Sequence, residues 1–217
     1  GSTGGAADYG DEAMFEVREG EQRKAACIGE YACRVQLGSA GRGVKDPVRS
    51  EVGLGLQRVL ELARPEVVYL HNPADKHDTH VACCLRGLSA LRALPAAQRP
   101  RKVYGCEIWR DLDWMLDQDK EVLPVDAREN LAAALGGVFD SQLCGGKRYD
   151  LAIQGRRRAH ATMFESHEVD QSTALSWAMD LTPLVHDPAL SVTDYTLDFL
   201  DRLRGDVQAR CQRLGAD

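Results

Sequence analysis

Three observations predict an α/β layered domain with a mainly parallel sheet. Short β-branched and aromatic runs alternate along the chain with longer stretches of helical periodicity. The clearest run, Glu66-Val67-Val68-Tyr69-Leu70-His71, is opened by Pro65 and set between helices, as in a parallel strand buried on both faces. A polar loop, Asn72 to His77, leaves that strand and leads into another helix, the connection that a parallel sheet requires.

In chain order, Asp11 to Tyr31 reads as a helix. Met14, Val17, Ala25 and Ile28 recur at near-helical spacing, and Asp11 suits the N-cap. Val35 to Leu37 reads as a short strand, followed by a loop through Gly38–Gly43 and Asp46-Pro47. Val48 to Ala63 reads as a second helix, with Leu54, Leu56, Val59, Leu60 and Leu62 as its apolar positions. Beyond the strand ending at His71, Asp78 or Thr79 can cap a helix that runs to Leu94. Lys102 to Ile108 reads as the next strand. A looser segment with Trp109 and Trp114 follows, then an edge strand around Val122 to Val125. Helices are expected over Ala127–Phe139, Lys147–Phe164 and Thr193–Leu214. The last carries Leu197, Leu200, Leu203, Val207, Cys211 and Leu214 on one stripe. With no internal repeat and no long linker, residues 1–217 read as a single domain.

The 217 residues are 44% hydrophobic and 28% charged, an ordinary globular composition. A net charge of −6 argues against a general nucleic-acid-binding surface, which relies on Lys and Arg to neutralise phosphates. The basic run Arg156-Arg157-Arg158 reads as a solvated helix face. No apolar stretch approaches the roughly 20 residues needed to span a bilayer, and no signal peptide is visible. Seven scattered cysteines without a CxxC pair read as reduced thiols in a cytoplasmic protein; a homo-oligomer stays open. An α/β protein normally opens with a buried strand, and none precedes the first helix here. The first strand is therefore expected to be missing, with Gly1-Ser2-Thr3-Gly4-Gly5 either a cloning remnant or the middle of a loop.

Ligands in open α/β sheets bind beyond the carboxyl ends of the strands, which directs attention to His71-Asn72-Pro73-Ala74-Asp75-Lys76-His77-Asp78-Thr79-His80. This segment holds three of the chain's six histidines and two aspartates. Neutral imidazole and carboxylate suit zinc and related divalent ions. His77 and His80, three apart at a helix start, can face one site, so that one binds a metal while the other is an acid, base or hydrogen-bond donor. Asp75 and Asp78 are close enough to orient either ring. The same composition also fits a loop that merely caps the next helix and binds water, because two histidines lack a third ligand.

Asn72-Pro73-x-Asp75-x-His77-x-x-His80-x-Ala82 resembles the second motif, NPxDxHPDHxA, of the LmbE/PIG-L family of N-acetylglucosaminyl deacetylases. The resemblance implies a three-layer, mainly parallel, Rossmann-like domain. It makes His80 a zinc ligand and His77 the residue that stabilises or protonates the developing oxyanion. Asp78-Thr79 stands where the family has Pro-Asp, leaving Asp75 or Asp78 to tune His77. Arg18-x-x-Glu21-x-x-Lys24-Ala25-Ala26-x-Ile28-Gly29 is similar to a family helix whose arginine contacts the substrate's distal polar group, and Asp46 matches a loop aspartate with the same role. The plain alternative for Arg18 is an exposed salt bridge to Glu21. Ser141-Gln142 also looks family-like, and the likeness runs from Arg18 to Phe164. The family's first motif, (A/P)HPDDE, which supplies two zinc ligands and the general base, does not occur in the sequence, whose first histidine is His71.

The implied reaction is metal-assisted hydrolysis of an N-acetylated amino-sugar conjugate, with Arg18, Asp46, Asn72 and Trp109 on the substrate and Trp114 also walling the sugar site. With an incomplete ligand set, this chain alone is expected to be inactive. The alternative is a degenerate, non-catalytic member that binds the sugar conjugate. A different α/β hydrolase or a nucleotide-binding protein finds no GxSxG, P-loop or dinucleotide fingerprint.

Overall fold

The computed structural model describes residues 11–39, 41–49 and 51–216, so the Gly1–Gly5 stretch lies outside the described residues. The chain divides into two compact units. One comprises residues up to Gln36 with Pro124–Ser176, the other Leu37–Leu123 with the residues from Trp177 onward.

In the first unit, α1 (Asp11–Ile28) buries Met14, Glu21 and Ala25 along one side. Its end is closed by hydrogen bonds from Tyr31 N to Ala26 O and from Glu30 N to Cys27 O, with Glu30 at φ 51°. This is a Schellman closure with glutamate where glycine is usual. Later in the chain the same unit holds α5 (Glu129–Gly137), α6 (Asp140–Leu143) and α7 (Tyr149–Met163). Arg156 and Arg157 on α7 are half-buried, and only Arg158 is exposed, pairing with Glu129, so the basic run is not a solvated face throughout.

The second unit opens with α2 (Gly41–Lys45) and α3 (Glu51–Ala63). Residues 35–37 form no strand: Val35 and Leu37 are exposed, and the run ends at Gly38 with φ 67°. On α3 the buried position is Val52, whereas Leu54 and Leu62 face solvent. Strand β1 (Val67–His71) is followed by α4 (Asp78–Ala93) and β2 (Lys102–Cys106). The two strands pair in parallel from Val67↔Lys102 to His71↔Cys106, so their carboxyl ends lie side by side. Helix α4 covers β1 through Gly87, where an added Cβ would meet Leu70 Cδ2 at 2.8 Å.

The remaining strands are β3 (Glu121–Pro124) and β4 (Leu175–Asp180), in the order β1-β2-β4-β3. The boundary between the units falls within both. β4 runs antiparallel to β2, with Gly105↔Met179. The domain is thus α/β, but its sheet is mixed, and the antiparallel strand is one that sequence patterning passed over. After β4 come α8 (Thr182–His186) and α9 (Val192–Arg213), capped by Ser191 Oγ accepting Asp194 N. The core of this unit is apolar and tightly closed: Cys84, Leu88, Leu91, Val103, Leu112, Ala178, Met179, Leu181, Leu184 and Val185 are all essentially inaccessible. No helix among the described residues is long and apolar enough to cross a membrane.

Candidate active site

The neighbouring carboxyl ends of β1 and β2 position the histidine loop. Asn72 follows β1 directly and is fully buried. Its backbone N–H and its Nδ2 both donate to Cys106 O, at 3.1 and 3.0 Å, welding the loop to the end of β2. Asn72 Oδ1 is buried without a hydrogen-bond partner among the described residues. Asn72 is therefore a structural pin, with an acceptor left over.

Asp75 is the hub. Its side chain is 0% exposed. Oδ1 accepts the His77 N–H at 2.9 Å, while Oδ2 accepts the Trp109 N–H at 3.0 Å and lies 3.4 Å from His80 Nδ1. Burial alone would raise this carboxyl's pKa, but the His77 and Trp109 amides and the His80 ring together hold it below the ordinary value. An ionised carboxylate only accepts hydrogen bonds, so His80 Nδ1 carries the hydrogen and Nε2 keeps its lone pair in the neutral ring. The His80 side chain is 19% exposed, so a ligand can reach it.

His71 stacks on His80 with ring centroids 4.1 Å apart and 4° between planes. The His77 ring is 4.5 Å from that of His80, and Trp109 is 6.1 Å beyond. Burial, then the neighbouring His80, push the His71 pKa down to about 4, with Asp75 opposing and His77 adding to the fall. His71 is therefore a neutral ring at neutral pH. His77 is exposed at the N-cap of α4 and makes no side-chain capping bond. The cap is thus neither Asp78 nor Thr79; Asp78 sits exposed in the first turn, where its charge favours the helix dipole.

α2 packs against this end of α4: an added Cβ at Gly41 would lie 3.8 Å from the Thr79 side chain. Arg86 of α4 donates to the carbonyls of Val44 and Asp46, tying down the loop in which Asp46 Oδ1 accepts the Val48 N–H. Trp114 donates its Nε1 hydrogen to Asp111 O. Patterning overlooked Glu107, a buried carboxylate just beyond β2 that accepts the Trp177 N–H at 3.0 Å. An acidic residue inside the apolar run Val103–Ile108 was the available signal.

Arg18 and Glu21 lie in the other unit. They do not pair. Glu21 is buried and accepts the Ser141 N–H at 2.7 Å and the Ser141 hydroxyl at 2.8 Å, so the two sequence-singled segments meet there. Arg18 Nε is buried without a hydrogen-bond partner among the described residues.

His80 backed by Asp75 suits one imidazole ligand for a divalent ion. Among the described residues, no group of three or more His, Cys, Asp or Glu is arranged to hold a metal by itself. No protein-family model and no curated protein matches the chain. Among solved structures, it is similar to the conserved protein TT1542 from Thermus thermophilus. The identity is 21%, over 81% of this chain and 78% of that one, with a TM-score of 0.58. This likeness extends to the fold alone.

Proposed function

We propose that the His71–His80 loop belongs to a metal-dependent hydrolase that removes an acetyl group from an N-acetylglucosamine-type conjugate, as in the LmbE/PIG-L deacetylases that its motif resembles. The observation that carries this reading is the buried Asp75 carboxylate behind His80 Nδ1. Metal-binding histidines use such a carboxylate to fix the tautomer and raise ligand basicity. The three-layer Rossmann-like assignment belongs to the same proposal, supported by the parallel β1–β2 pair and by a ligand loop beyond the strands' carboxyl ends.

In this reading His80 would hold zinc or another divalent ion through Nε2, and the other ligands would come from the family's first motif, which these residues do not include. When bound, such an ion supplies Lewis acidity toward water and an amide carbonyl. His77, exposed beside His80, donates a hydrogen bond to the oxyanion or a proton to the departing amine nitrogen. Asp75 is a positioning residue, and Asp78 is the carboxylate free to tune His77. Asp46 binds the conjugate's distal polar groups, Asn72 fixes the loop, and Trp109 walls the sugar.

The test is zinc titration of the full chain by calorimetry, together with acetate release from N-acetylglucosamine conjugates in added zinc. Zinc binding is expected, weakened at least about tenfold in His80→Ala, with acetate release only where the first-motif ligands are also supplied. Turnover that survives His80→Ala overturns the ligand assignment. Conjugate binding without zinc binding in the wild type favours the non-catalytic alternative.

A further inference from the structure

The ring of His71 is placed by the sheet and the ring of His80 by a helix, and the two meet face to face. His71 is the last residue of β1, in register with Cys106 of β2, and the next residue, Asn72, bonds twice to Cys106 O. The backbone of His71 is therefore held as firmly as the strand end itself. His80 stands in the first turn of α4. Its ring lies on that of His71 with centroids 4.1 Å apart and 4° between planes. Among the described residues the His71 ring enters no hydrogen bond, and its contact is this stack.

His80 needs such a neighbour. Asp75 Oδ2 lies 3.4 Å from its Nδ1, longer than a well-formed N–H···O bond of about 2.7–3.2 Å. The torsion that turns an imidazole about its Cβ–Cγ bond is broad and roughly two-fold. A hydrogen bond of that length restrains the rotation weakly, whereas a flat ring against its face fixes the plane. With Nδ1 toward Asp75, the plane then decides where Nε2 points. His71 is not placed to share an ion with His80. A metal lies in the plane of its imidazole ligand, about 2.0–2.1 Å from the nitrogen. Near-parallel rings in contact have planes about 3.5 Å apart, so one ion cannot lie in both.

We infer that His71 is a positioning residue for His80. Its ring, fixed at the end of β1, sets the plane of the His80 imidazole, while Asp75 sets which nitrogen carries the hydrogen. Together they aim one lone pair, that of Nε2, in one direction. The consequence for a metal rests on the proposed reading of His80 as a ligand; the orientation of the ring does not. What position 71 must supply is a flat ring and not a nitrogen. Phenylalanine therefore serves there, whereas leucine fills the space without presenting a face.

His71→Phe, His71→Leu and His71→Ala in the full chain test this, each checked for folding by far-UV circular dichroism. The first readout needs no metal. It is the imidazole nitrogen resonances of His80 in a long-range proton–nitrogen NMR spectrum at about pH 8, where an ordinary histidine is neutral. The wild type and His71→Phe are expected to show the Nδ1–H form alone, and His71→Leu and His71→Ala both tautomers in exchange. The second readout is zinc affinity by calorimetry. It is expected to fall about tenfold in His71→Leu and His71→Ala, and to stay within about twofold of wild type in His71→Phe. A wild type that binds no zinc refutes the ligand reading of His80, and the nitrogen resonances then decide the role of His71 by themselves. A leucine variant that keeps the single tautomer means that His71 only fills space, which overturns the proposal. A phenylalanine variant that keeps the tautomer but loses zinc makes His71 a ligand and overturns it too.

Discussion

Asp75 Oδ2 stands 3.4 Å behind His80 Nδ1 while the same carboxylate takes the backbone N–H groups of His77 and Trp109. One buried group therefore sets both the shape of the loop and the tautomer of the ring. Asp75→Asn separates the two roles, because an amide keeps one acceptor oxygen and loses the charge. It is expected to cost about 1–3 kcal/mol in urea unfolding, as one buried donor loses its acceptor. Zinc affinity is expected to fall about 10- to 100-fold. Destabilisation with unaltered zinc affinity would make Asp75 a turn residue only.

Glu21 and Ser141 are 120 residues apart in sequence and make two hydrogen bonds. Because Glu21 is buried, deleting the serine hydroxyl leaves a carboxylate oxygen short of a donor. Ser141→Ala is expected to cost about 1–2 kcal/mol, and Glu21→Ala about 2–3 kcal/mol. A double-mutant cycle should return a coupling near 1 kcal/mol. Additive single effects would mean that the contact does not hold α1 to α6 in solution.

How legible such features were in the sequence depended on the range of the forces behind them. β1 was legible because Val67, Val68, Tyr69 and Leu70 form a dense β-favouring run after Pro65, and the structure places the strand over Val67–His71. β4 was not. Leu175-Ser176-Trp177-Ala178-Met179-Asp180 holds no β-branched residue, and its strand state comes from pairing with β2 and near-complete burial. The Asp75–His80 relation lies within five residues and so could be suspected, while the Trp109 amide that completes it comes from 34 residues away. On α9 the periodicity was plain, but a stripe does not reveal what it faces: Thr196 and Phe199, off the stripe, are the buried residues.

Gly105 occupies the middle of this arrangement, on β2 between Met179 and Leu70. An added Cβ would meet Leu181 Cδ1 at 2.8 Å and Asn72 Cα at 3.2 Å. The leucine tip can swing aside, but the Asn72 backbone is fixed by its two bonds to Cys106 O. Gly105→Ala is expected to destabilise by about 1–3 kcal/mol through overpacking. It should also move the amide resonances of Asn72 to His77 in an NMR spectrum. Shifts confined to Leu181 would show that the side chain alone absorbs the methyl group.

Lys102 at the start of β2 donates to Glu121 of β3 at 2.8 Å and to Asp180 at the end of β4 at 3.0 Å, so three strands share one cation. Burial alone would raise the Asp180 carboxyl, but Thr182 and then Lys102 hold it below the ordinary value of 3.8. A carboxyl with a depressed folded-state pKa stabilises the fold at pH values above its unfolded pKa, and that contribution disappears as pH falls through the folded value. Lys102, raised by Glu121 and Asp180, stays charged through the neutral range. Asp180→Asn is therefore expected to cost about 1 kcal/mol near pH 6, a figure kept small because the pair is partly solvated. The gap between wild type and variant should close as pH drops from about 5 to about 2. Urea unfolding at a series of pH values reads this directly. A gap that stays constant over that interval would mean that the carboxylate contributes packing and not charge at the junction of the three strands.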